Sequence, residues 1–166
     1  MLKLTLVLLA ATLVQESPAS LLETTDWIRT TLSSHGNCIE KMGQRTRNER
    51  IDNLSFDGCS LSGSYVSESS INSTLLVSVV QQATLQLSDI ESIAVDTKEH
   101  HWLIVLKTTS KSIKGDVRIG LPGQFNREPL AASKFVLPCD DKQIAERISK
   151  ALDHAVALCK KQKEPF

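Results

Sequence analysis

The sequence has no excess charge of either sign. Its 166 residues hold 19 Lys and Arg against 19 Asp and Glu, and they contain no long basic run. Because clustered positive charge drives binding to phosphate backbones and anionic membranes, the composition gives no support for a nucleic-acid partner or a membrane surface. The seven glycines are scattered and form no phosphate-binding loop.

Metal-binding spacing is also missing. The four cysteines Cys38, Cys59, Cys139 and Cys159 include no pair separated by two to four residues. The four histidines are not placed to complete a zinc site with them. We therefore predict no metal, no cofactor and no catalytic residues.

Long apolar runs are absent except at the N-terminus, where residues 4–14 follow Lys3. This run is too short for a bilayer of ~30 Å hydrocarbon, which needs about 20 apolar residues. Small residues at Ser17 and Ala19 fit a signal-peptidase site. The alternative, a buried N-terminal helix, lacks a polar face. The pattern favours a signal peptide over residues 1–19, cleaved near Ala19, and a secreted or periplasmic protein with no later transmembrane segment.

Removing 19 of the 166 residues leaves 147, about the size of one domain. We divide it into a helix and polar connector (20–53), a main domain (54–159) and a frayed tail (160–166). In the first part, Leu21, Thr25, Ile28 and Leu32 recur at helical spacing.

The middle of the chain alternates in polarity, which predicts strands beginning near residues 59, 75, 93, 102, 117 and 134. No helix of crossover length separates them, so the strands should pair antiparallel. Asp140 is the predicted cap of a final amphipathic helix that carries Ile148, Leu152 and Cys159 on one stripe. The fold class is thus α+β.

Four cysteines behind a signal peptide indicate two disulfides. A helix from Asp140 to Cys159, at ~1.5 Å rise per residue, separates Cys139 from Cys159 by on the order of 30 Å. A disulfide needs Cα atoms within about 7 Å, so these two cannot pair. Two connectivities remain open. We prefer Cys59–Cys159 with Cys38–Cys139 over Cys59–Cys139 with Cys38–Cys159, because Cys59 and Cys159 both belong to core-facing patterns.

The segments Leu87-Ser88-Asp89-Ile90 and Trp102-Leu103-Ile104-Val105-Leu106, followed by the helix that ends at Leu158-Cys159, resemble an uncharacterised group of small exported bacterial proteins. The order of elements resembles the pleckstrin-homology-like barrel. The resemblance implies an antiparallel β-barrel, or a strongly curved sheet, closed by the C-terminal helix. It also implies that the domain binds a ligand or partner and is not catalytic.

Two adjacent histidines, His100 and His101, precede the Trp102 strand, and Asp96 lies nearby. They could form a cryptic acid/base site, but the pattern is typical of a hairpin turn before a buried strand. The N-glycosylation sequons at Asn53 and Asn72 are chance matches if the source is bacterial.

The sequence thus favours a non-enzymatic exported binding or structural domain that acts in the cell envelope or outside the cell. Its partner, an unknown protein or small ligand, and its oligomeric state stay open. One alternative is an inhibitor of a secreted hydrolase acting through an irregular loop over residues 115–132. The other is an enzyme with a site near His100 and His101.

Overall fold

The structure, a computed structural model, describes residues 19–98, 101–121 and 123–163. Within these residues, two helices and nine strands follow one another, with a short 3-10 turn at Leu87–Asp89. The elements are α1 (Leu21–His35), β1 (Asn37–Met42), β2 (Arg45–Asp57), β3 (Ser60–Ile71), β4 (Thr74–Gln86), β5 (Ile90–Lys98), β6 (His101–Thr108), β7 (Ile113–Leu121), β8 (Gln124–Ala132), β9 (Lys134–Cys139) and α2 (Lys142–Lys163).

The predicted N-terminal helix is present as α1. Ser20 caps it through a capping box, in which the Ser20 hydroxyl accepts from Glu23 N–H and the Glu23 carboxylate accepts from Ser20 N–H. Gly36 ends the helix, and its N–H donates to the Leu32 carbonyl. Ile28 and Leu32 are fully buried. The helix therefore docks on the core through the predicted stripe.

The strands form two separate antiparallel sheets. The larger sheet has the order β1-β2-β3-β4-β7-β8, and the smaller has the order β5-β6-β9. The expected α+β fold with antiparallel strands and a C-terminal helix is confirmed, but the described strands close no barrel. The core lies between the two sheets and the helices, and Leu61, Ile104, Phe135, Ile148 and Leu152 are among its buried side chains.

Two segments expected to be irregular are strands. The predicted connector up to residue 53 holds β1 and most of β2, and the predicted loop over residues 115–132 is the β7–β8 hairpin. The connector was misassigned because buried positions in β1 and β2 include charged residues, Glu40 and Glu49. Charged residues in such positions hide the alternation of apolar and polar side chains that identifies a strand.

Helix α2 begins one residue later than predicted. Asp141, not Asp140, accepts the capping hydrogen bond from Ile144 N–H, at 2.9 Å. The helix continues through Lys163 into the predicted tail, and residues 164–166 lie outside the described part. Its buried face includes Ile148, Leu152 and Cys159, as the periodicity predicted, together with Ala145, Ala155 and Val156.

A disulfide joins Cys59, in the turn between β2 and β3, to Cys159 near the end of α2. The S–S distance is 2.08 Å and the Cα atoms are 5.7 Å apart. Cys38 and Cys139 are buried free thiols, so the second predicted bridge is not formed in this structure. Within the described residues no helix is long and apolar enough to cross a bilayer. The predicted signal peptide falls on residues of which only Ala19 is described.

Candidate functional site

One face of the large sheet packs against the core at one end of its strands and extends beyond the core at the other end. Near the disulfide, this inner face presents Leu61, Leu85 and Ile113 to the core. Strands β2, β3, β4 and β7 then continue past the small sheet, toward the turns that join β1 to β2, β3 to β4 and β7 to β8. Beyond the core the same face carries Glu49, in register with Ser67, and Val79, in register with Ile119.

A charged cluster marks the boundary where the core ends. We use this name for Glu49, Arg47, Tyr65, Lys98 and His101. Glu49 is 1% exposed, and its Oε1 lies 2.7 Å from both Arg47 Nε and Lys98 Nζ. His101 Nε2 lies 3.0 Å from Glu49 Oε2. Since Lys98 and His101 belong to β5 and β6, the cluster ties the end of the small sheet to strand β2.

The electrostatics of this boundary favour stable ion pairs over chemistry. Burial raises the pKa of Glu49, but Lys98 and Arg47 outweigh it and hold that pKa below its usual value. Burial raises the pKa of Tyr65 to about 12, and the Glu49 charge adds to the shift. Burial, with Cys139 nearby, likewise raises the pKa of the Cys38 thiol to about 12. At neutral pH Cys38 is therefore a thiol and a poor nucleophile.

Beyond the charged cluster, apolar side chains lie in water. We call this region the apolar end and define it by Met42, Leu76, Val77, Ile119 and Leu121. Met42, Leu76, Ile119 and Leu121 are 41–49% exposed. Val77 lies opposite Ser69, beside the bulge between β3 and β4 that accommodates Leu76. Monomeric proteins seldom leave neighbouring large apolar side chains in water unless something binds there.

The apolar end contains a cavity of about 340 Å³. Its lining comes from the first four strands of the large sheet: Met42, Arg45, Thr46, Arg47, Ser69, Ser70, Leu76 and Val77. Arg47 is paired with Glu49, whereas Arg45 is exposed and has no ion-pair partner among the described residues. The cavity thus combines an apolar floor with one available cation.

The opposite, outer face of the large sheet carries cross-strand ion pairs. Arg50 contacts Glu68 at 2.6 Å and Asp52 at 3.1 Å. Arg118 and Arg127 both contact Asp116, at 2.9 and 3.0 Å. Such pairs are ordinary on a solvated sheet, and they leave these three arginines already matched by carboxylates.

Of the histidine site considered from the sequence, the structure describes His101 and Asp96, and these two side chains have different partners. His101 is buried against Glu49, and His100 lies outside the described residues. Asp96 is exposed, and its Oδ1 accepts from the Thr97 backbone N–H. Within the described residues, no three or more His, Cys, Asp or Glu side chains are grouped so that they could hold a metal ion.

Sequence reasoning missed the residues of the apolar end. One signal was available: Leu75-Leu76-Val77 breaks the strict alternation, so a regular strand would place an apolar side chain on each face. Arg45 and Arg47 are close together in the sequence, but their position beside Leu76 depends on the pairing of β2 with β3 and of β3 with β4. Comparison with protein-family models, with curated proteins and with solved structures finds no match to this chain.

Proposed function

We propose that this protein is an exported, non-enzymatic domain that binds a partner at the apolar end of its large sheet. One observation carries the proposal: side chains of Met42, Leu76, Ile119 and Leu121 are 41–49% exposed at one end of the sheet, beside a cavity of about 340 Å³. A partner that covers these side chains removes apolar surface from water. This burial contributes roughly 25 cal/mol of binding free energy per Å².

Export is part of the proposal and rests on different features. The apolar segment over residues 4–14 has the length of the hydrophobic region of a signal peptide, and Ala19 lies just before the capped start of α1. The Cys59–Cys159 disulfide fits an oxidising compartment such as the periplasm or the cell exterior. The resemblance to pleckstrin-homology-like domains adds precedent for binding without catalysis.

No observation favours the two alternatives. An enzyme near His101 would need that side chain to reach a substrate, yet it is 6% exposed and held by Glu49. An inhibitor would need an irregular loop over residues 115–132, and that segment is a regular hairpin.

An apolar fluorescent dye, an anilinonaphthalene sulfonate, tests the site directly. We expect the purified native protein to enhance its fluorescence, and Met42→Ser or Leu76→Ser to reduce the enhancement severalfold. Leu22→Ser is the matched control, because Leu22 is 70% exposed on α1, away from the sheet end. Circular dichroism verifies that each variant is folded. Equal fluorescence from the wild type and the two sheet variants would refute the site.

A further inference from the structure

We propose that the partner adds a strand to β1: an extended peptide segment places an apolar side chain in the cavity and, two residues along, a carboxylate against Arg45. This inference rests on the proposed function and identifies the chemistry of its partner. An extended peptide that joins a sheet edge gains affinity from main-chain hydrogen bonds and specificity from pockets for alternate side chains.

The two edges of the large sheet differ in their ability to accept a strand. The edge strands are β1 and β8. In β8, Pro129 lies in the second half of the strand, where it removes a backbone donor, and residues 124–129 are all exposed. Proline and polar side chains are the usual protection of an edge against pairing.

Strand β1 is less protected. It contains no proline, and although Lys41 is exposed, its exposed positions also include Ile39, at 60%, and Met42, at 47%. These two residues are separated by an odd interval, so they lie on opposite faces of the strand. An added strand would cover apolar surface on both faces at once. Its inner-face side chains would reach the cavity beside Met42.

The charge of this corner selects an acidic partner. Lys41 and Arg45 are exposed, and the β1–β2 register places Arg45 directly opposite Met42. Glu49 is already held by Arg47 and Lys98, and Glu40 is buried. The exposed charges facing an incoming strand are therefore cations. Because Met42 and Arg45 both line the cavity, the apolar and acidic side chains of the peptide must share a face. Their spacing is therefore an even number of residues, and two is the shortest such spacing.

The experiment uses capped peptides of about eight residues, long enough for one strand. Each carries Leu, and the second residue after it is Glu, Gln or Lys. Binding to the native protein is followed by fluorescence anisotropy. We expect the Glu peptide to bind roughly two- to fivefold more tightly than the Lys peptide, as one exposed ion pair allows. Arg45→Glu should reverse that order.

Two controls separate this mechanism from general charge attraction. Lys114→Glu changes an exposed cation on β7 that does not line the cavity, and it should leave the peptide preference unchanged. N-methylation removes a backbone hydrogen-bond donor. Methylating the alternate peptide nitrogens that face the β1 edge should abolish binding, whereas methylating the other nitrogens should leave it unchanged.

Three results would overturn the inference. The first is peptide binding without a charge preference, or a preference that Arg45→Glu does not alter. The second is an absence of peptide binding while the dye still binds the apolar end; the proposed function then stands and the strand addition fails. The third is a dimer in sedimentation analysis that Met42→Lys dissociates, because a second copy of the chain would then occupy the edge.

Discussion

Glu49 is the residue on which the junction between the two sheets depends. Its carboxylate is buried with Arg47, Lys98 and His101 around it, and it contributes the negative charge at the centre of this cluster. Removing the carboxylate leaves the buried His101 and the partly exposed Arg47 and Lys98 uncompensated, which costs up to about 3 kcal/mol. Glu49→Gln should therefore lower the free energy of unfolding by about that amount.

The pH dependence of this loss follows from the lowered pKa. A carboxyl group whose pKa is lower in the folded state stabilises the fold at pH values above its ordinary pKa, 4.5. That contribution disappears as the pH falls through the folded-state pKa. Urea denaturation between about pH 3 and pH 7 should show the gap between wild type and Glu49→Gln narrowing toward the acid end. Glu146→Gln is the control, because Glu146 is exposed and 3.7 Å from Lys142. A gap that is constant with pH would contradict the ion-pair explanation.

The sequence could not reveal this cluster, because Lys98 and His101 follow Glu49 by 49 and 52 residues along the chain. Glu49 lies on β2, while Lys98 and His101 flank the turn between β5 and β6. Their contact depends on how one sheet packs on the other, which no local pattern specifies. His101 could be noticed from the sequence, but its role as a buried ion-pair partner could not.

At the level of elements, the predictable parts were those with a strong apolar period. Both helices, and the strands around residues 75–87 and 102–108, follow from their spacing. Strands β1 and β2 do not, because their buried face contains Glu40 and Glu49 where an apolar residue would be expected. The separation into two sheets could not be predicted from the sequence either, because β7 pairs with β4 and not with β5 or β6.

The disulfide attaches α2 to the turn between β2 and β3, and its removal should destabilise the protein. The two cysteines are 100 residues apart, and loop-closure entropy gives such a bridge up to about 4.7 kcal/mol. We expect the double variant Cys59→Ser, Cys159→Ser to unfold at lower denaturant concentration than the oxidised wild type.

A reductant provides the control for this comparison. It should destabilise the wild type and leave the double variant unchanged, since Cys38 and Cys139 are free thiols. Sensitivity of the double variant to reductant would mean instead that Cys38 and Cys139 form the second bridge predicted from the sequence. Equal stability of wild type and double variant would contradict a structural role for the Cys59–Cys159 bond.

For the whole molecule, the proposed export and the fold are connected at the start of α1. If the signal is removed after Ala19, Ser20 becomes the N-terminus, and its nitrogen already lies 2.8 Å from Glu23 Oε2. The new ammonium group would then form an ion pair with Glu23 while the Ser20 hydroxyl still caps the helix. Cleavage at this position would therefore leave the capped end of the helix intact, although the bond from His154 to the Ala19 carbonyl would be lost.

When a bacterial host secretes the protein or exports it to the periplasm, we expect the mature chain to begin at Ser20. Intact-mass analysis measures where it begins. Replacing Ala19 by Arg should block processing, because the −1 position requires a small residue, and the precursor should then remain with the membranes. Ser20→Ala is the matched structural control: processing should continue, while the loss of the cap lowers the stability of the mature protein by about 1 kcal/mol. A mature chain that retains residues 1–19 would show that this segment is not a cleaved signal.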